Sequence, residues 1–150
     1  MLNSTFVVLH VLTMFAVVAL HSGPQILVFV AARTGQLSAV AGIAGMYARS
    51  GRAVPPLGLA GALFGFGAAL TGGYNLLAPW LLFAYGLFGA LIVYGGFVSA
   101  PYVMRLSDAV LHDRPERDAL LGRRLTVILA IDALIYVLII ADMVLKPFRN

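Results

Sequence analysis

Cysteine is absent from the 150 residues. That excludes disulfides, thiolate-ligated zinc and cysteine-bound iron–sulfur clusters, and it leaves the compartment open. Charge is nearly as scarce: Asp, Glu, Lys and Arg make up 11% of the chain, against roughly 25% in ordinary soluble domains. None of them occurs in the first 32 residues, nor in the 52 that separate Arg52 from Arg105. Elements of a soluble fold normally keep a wet polar face, so uncharged stretches of this length argue against one. The sequence also lacks a phosphate-loop motif, a metalloprotease His-Glu pair and any repeat at solenoid spacing. No basic side chain precedes the first apolar run, which is much longer than the roughly 7–15 residues of a signal-peptide core, so a retained first helix is expected.

What remains is apolar. Hydrophobic residues account for 61% and mean hydropathy is +0.97. The expected fold class is an all-α integral membrane protein, a single four-helix transmembrane domain, with each span needing roughly 20 residues. The spans are expected near 5–32, 57–77, 80–104 and 125–145, joined by polar connections at 33–52 and 105–124. The second connection holds nine of the sixteen charged side chains. Between Gln36 and Ala48 the chain is too short for a comfortable span. It could prolong helix 1, lie at the interface as a short helix, or form a fifth span. Ser22-Gly23-Pro24-Gln25 predicts a kink near His21, since proline removes a backbone donor. Trp80 and Tyr102, at opposite ends of helix 3, suit the aromatic belts of the two interfaces.

Eight of the ten basic residues fall in the two connections, which the positive-inside rule places in the cytoplasm, with both termini outside. A bacterial inner membrane is the expected location. The net charge of +4 reads as topology rather than as nucleic-acid binding. Gly58, Gly65 and Gly72 recur every seven residues with Gly61 beside them, a small-residue stripe that permits close helix packing. Such faces could also support a homo-oligomer or a larger membrane complex within the lipid bilayer.

The polar groups inside the apolar segments are few: His10 and His21 on helix 1, and Asp132, Tyr136 and Asp142 on helix 4. Ionisable groups in lipid are costly and turn inward toward partners. Helix 4 runs antiparallel to helix 1, so Asp132 falls toward the level of His21 and Asp142 toward that of His10. Three readings compete for these residues. They could be packing polar groups of a structural or accessory subunit. His10 and His21 could instead be cofactor ligands, binding a haem b. Or Asp132 could carry protons or ions in a transporter. The two histidines, about 16 Å apart along one helix, could not clamp one iron from both faces. His112 with Asp108 and Asp113 could bind a metal but reads more simply as a solvated loop, so no metal site is expected.

Leu9-His10, Leu70-Thr71-Gly72-Gly73-Tyr74, the Trp80 opening of helix 3 and Met143-Val144-Leu145-Lys146-Pro147 give the chain a resemblance. It resembles a family of small four-helix bacterial membrane proteins, itself similar to copper-resistance D-type proteins and four-helix protoporphyrinogen oxidases. That resemblance implies the four-helix fold and haem ligation by His10. The chain departs from the oxidases in having no Arg or Lys in helices 2 and 3.

Overall fold

The computed structural model describes residues 1–145. Its elements are α1 (Leu2–Arg33), α2 (Leu37–Ser50), a 3₁₀ turn (Gly51–Ala53), α3 (Val54–Thr71), α4 (Pro79–Tyr94), a π-turn (Gly95–Ser99), α5 (Ala100–Leu111), α6 (Arg117–Leu121) and α7 (Arg123–Leu145). They assemble into four long apolar helices, Leu2–Arg33, Leu37–Thr71, Pro79–Leu111 and Arg117–Leu145, each long and apolar enough to cross a bilayer. The protein is an all-α, four-helix membrane bundle. Lys146 and Pro147 of the last sequence motif, and the basic Arg149, lie outside the described residues.

The second span differs from its expected form. Residues 33–52 are not an extended connection: only Thr34–Gln36 separates α1 from α2, and α2 continues through the 3₁₀ turn into α3. Segment 36–48 is thus neither an extension of helix 1 nor a separate interfacial helix. The two prolines that read as the start of a new helix sit at its joint, in the first turn of α3. A proline there forfeits donors that a tightened turn does not need, and Val54 N–H closes the turn onto the Gly51 carbonyl. Pro24 does not interrupt α1, which is helical from Leu2 to Arg33. Helix 2 ends at Thr71 rather than 77, where Gly73 adopts a positive φ of 71°.

Helices of 29–35 residues reach about 44–52 Å, well beyond the roughly 30 Å of a hydrocarbon core. Packing of α3 on α1 fixes the level: Gly61 faces Met14, Gly65 faces His10 and Gly67 faces Phe6. Extending this antiparallel register puts Arg52 roughly level with Gly23. Arg49 and Arg52 are both exposed, and long arginine side chains reach the headgroups from positions inside the hydrocarbon. Both lie toward the end of the bundle that carries the charged loop.

The charged end has its own core. Val28, Val40, Val103, Leu106, Ala109 and Leu125 are wholly buried, packed with Ala31, Ala44, Tyr47 and Leu120. Toward the other end the buried apolar cluster shrinks to Ala69, Trp80 and Leu81. Trp80 is 6% exposed there and meets Tyr74 edge-on at 5.6 Å.

Candidate functional site

α7 is built inside out. Its 23 residues are mostly aliphatic, yet its buried positions are Leu125, Asp132, Tyr136 and Asp142. The four-residue step sets Asp132 and Tyr136 on one face, and the six-residue step turns Asp142 about 120° from Tyr136, still on the buried side. The aliphatic residues Leu134, Val137, Ile140 and Val144 are turned outward, as lipid requires. A polar line thus runs along the inner face of α7, with Asp132 2% exposed and Asp142 3% exposed.

Asp132 meets His21 of α1, with Oδ2 3.3 Å from Nε2. The other ring nitrogen of His21, Nδ1, lies 3.1 Å from the Tyr47 hydroxyl of α2. Gln25, one turn after His21, places its Nε2 3.1 Å from that hydroxyl and 3.4 Å from Ser99 Oγ. Ser99 in turn donates to the Gly95 carbonyl. One assignment of protons satisfies this chain. Gln25 donates to Ser99 and Tyr47, Tyr47 donates to Nδ1 of His21, and Nε2–H of His21 points to the Asp132 carboxylate. Gln25 Nε2 is also 3.2 Å from His21 Nε2, which in this assignment is a contact between two donors rather than a bond. The Asp132–His21 approach is short enough for an ion pair but not aligned as a hydrogen bond, and both carboxylate oxygens lack an aligned donor. A small rotation of either side chain would complete it.

Local backbone makes room for this cluster. A Cβ on Gly95 would sit 3.2 Å from Cε1 of His21, so glycine is what lets the imidazole lie against this helix. The π-turn from Gly95 to Ser99 directs the Ala100 N–H to the Gly95 carbonyl, five residues back. It precedes Pro101, whose missing donor already weakens the regular ladder. π-turns of this kind are frequent at functional sites. Tyr136 closes the cluster from α7, its ring centroid 6.1 Å from that of His21. Three helices, α1, α2 and α7, and the π-turn thus converge on one imidazole at the level of Arg49 and Arg52.

His10 stands apart. Its Nδ1 is 2.7 Å from the Gly61 carbonyl, which can only accept, so Nδ1 carries the proton and Nε2 keeps a lone pair. The glycine stripe explains the approach: a Cβ on Gly65 would lie 2.8 Å from the His10 ring, and one on Gly61 2.6 Å from Met14 Sδ. Gly58 faces Phe88, and Gly72 is hemmed in by Tyr74 and its own helix. The α3 stripe is thus filled by side chains of the same chain. His10 and Asp142 form no ion pair. Instead the Asp142 carboxylate has no hydrogen-bond partner among the described residues.

The charged loop is internally paired. Asp108 binds His112 and Arg114, each at 2.9 Å, Asp113 and Asp118 both bind Arg117, and Glu116 is 4.0 Å from Arg105. Among the described residues no group of three or more His, Asp or Glu side chains could hold a metal ion.

Gln25, Tyr47 and Ser99 went unnoticed in the sequence. Gln25 carried a signal, being a polar residue one turn from a histidine in an apolar helix. Tyr47 and Ser99 had none, because their segments were not expected to reach His21.

Compared with family models, with curated proteins and with solved structures, the chain matches nothing in any of the three. The comparisons lend no support to the resemblance read from its short motifs, and the four-helix membrane-spanning architecture stands on the chain's own composition and structure.

Proposed function

We propose that this protein carries protons, using the Asp132–His21 pair as its exchange site. The supporting observation is that the buried face of α7 is polar and that its central carboxylate meets a histidine wired to Tyr47, Gln25 and Ser99. Intramembrane carboxylate and histidine chains of this kind are the usual elements of proton relays. The pair lies between the charged and the apolar end, so a proton could be taken up from the charged side through the Tyr47 hydroxyl, which Gln25 holds in place. Tyr136 and Asp142 continue toward the apolar end. A pump or a coupled transporter would add a driving partner to this relay.

The test is reconstitution in liposomes holding a pH-sensitive dye, with valinomycin present and a potassium gradient imposed. The native protein should relax the pH difference faster than protein-free vesicles, and Asp132→Asn should remove that acceleration. Equal rates for native protein and Asp132→Asn, both folded by circular dichroism, would leave the cluster as a packing device of a structural subunit.

One observation favours a second reading. Metal-ligating histidines commonly donate their other ring nitrogen to a carbonyl, and His10 does so to Gly61. His10 therefore fits a haem ligand in its donor chemistry, whereas both nitrogens of His21 are engaged. Bound haem would supply one-electron chemistry, and a bis-histidine form would take His10 from two copies. A Soret band in protein purified from its own membranes, lost in His10→Ala and kept in His21→Ala, would establish this reading. A colourless protein that also fails to take up added haem removes it.

The bias of basic residues supports a charged end facing the cytoplasm of a bacterial inner membrane, with both termini outside. Because the chain has no cysteine, single cysteines at positions 115 and 77 test this directly. The first should react only from the cytoplasmic side and the second only from the outside.

A further inference from the structure

Between α5 and the start of α7 lies an open groove of about 390 Å³, lined by Tyr102, Arg123, Arg124, Val127 and Ile128. That volume falls in the range of roughly 300–1,000 Å³ typical of small-molecule clefts. Its composition is divided. Val127 and Ile128, one turn into α7, give an apolar floor. Arg123 and Arg124, both exposed, stand at the rim toward the charged loop.

The two rim arginines differ from most of their basic neighbours. All four acidic side chains between Arg105 and Arg124 are already engaged, by Arg105, His112, Arg114 and Arg117. Arg33, the nearest cation on α1, hydrogen-bonds Thr126 and lies over the Phe29 ring. Arg123 and Arg124 have no ion-pair partner among the described residues. The Tyr102 hydroxyl is committed to the Leu120 carbonyl at 2.6 Å, which fixes the aromatic wall of the groove in place. The resulting site is an apolar slot opening under two uncompensated guanidinium groups, near the edge of the lipid.

We infer that this groove is a binding site for an anionic phospholipid, with the phosphate between Arg123 and Arg124 and the upper part of one acyl chain along Val127 and Ile128. Guanidinium groups suit phosphate by their paired donors, and basic pockets between helices at the cytoplasmic face bind anionic headgroups. The charge complementarity selects an anionic lipid over a zwitterionic one, and the apolar floor selects a lipid over free phosphate.

The experiment uses the purified full chain in detergent, titrated with phosphatidylglycerol, phosphatidylcholine, or inorganic phosphate, and followed by native mass spectrometry and thermal unfolding. Phosphatidylglycerol should remain bound and raise the melting temperature, while phosphatidylcholine and phosphate should not. Replacing both rim arginines (Arg123→Gln with Arg124→Gln) should weaken phosphatidylglycerol binding roughly thirtyfold. The control pair Arg49→Gln with Arg52→Gln, also exposed but away from the groove, should leave it within about twofold of the native value. Equal retention of both lipids would overturn the site, as would equal losses from the two arginine pairs. Stabilisation by inorganic phosphate alone would overturn the lipid assignment in favour of a simple anion site. Both double variants alter exposed side chains, and unchanged circular dichroism confirms that the fold is retained. The readout is independent of proton flux, so this test and that of the relay succeed or fail separately.

Discussion

The two ends of the bundle solve the same packing problem with opposite chemistry. At the charged end a core of aliphatic side chains points inward: Val28, Val40, Val103, Leu106 and Leu125 are wholly buried, while the charges and a few apolar residues such as Val30 and Leu111 lie outside. At the apolar end, Leu59, Leu63, Phe66, Phe83, Val137 and Val144 are exposed. The contacts there include glycines of α3 against side chains of α1, and Asp142 is buried. The difference follows from the solvent. Water drives aliphatic burial at the charged end. Lipid gives no such gain, so helices associate where small residues allow close approach and where polar groups leave the hydrocarbon. The relay lies at the junction, where one regime gives way to the other.

If the charged end is a water-driven core, truncating it should be the most damaging change. Leu106→Ala, at a site with no exposure, should cost about 2–5 kcal/mol. Leu63→Ala, on the lipid-facing surface at 62% exposure, should change stability by less than about 0.5 kcal/mol. Reversible unfolding in a detergent–denaturant titration measures both, and similar losses would mean that the two ends are packed by one mechanism.

Close approach at the apolar end is tested by adding bulk. Gly65→Leu must push the His10 ring off the Gly61 carbonyl, and overpacking of this kind costs about 1–3 kcal/mol. Gly86, where an added Cβ would meet nothing within 4 Å, should accept Ala within about 0.5 kcal/mol. An unchanged melting temperature for Gly65→Leu would show that α1 and α3 are not held together at this level.

The smallest effect has the opposite sign. Asp142 is buried without a hydrogen-bond partner among the described residues, so replacing it with the similarly branched Leu should stabilise the bundle, by about 1 kcal/mol. Destabilisation by Asp142→Leu would reveal a polar partner for the carboxyl group. Conversely, stabilisation together with slower proton flux would mark Asp142 as a group kept for function at a cost to the fold.

Composition alone determined that this chain is a four-helix membrane protein. Long uncharged apolar segments admit few other environments, and the lengths of the spans follow from the thickness of the bilayer. Periodicity and helix direction also placed Asp132 near the level of His21, since an antiparallel pair brings levels together whatever the side chains. Only the tertiary structure decided the rest. Pro55 and Pro56 read as the start of a helix, and proline is indeed tolerated in a first turn, but the sequence could not tell that α2 already led into that turn. For the same reason Tyr47 could be placed beside His21 only once α2 was known to lie along α1. His10 found a backbone carbonyl on α3 rather than Asp142 on α7. A level along the helix axis can be read from spacing, but the neighbour that a side chain meets depends on rotation about that axis and on which helices touch, and both are fixed by packing across the whole bundle.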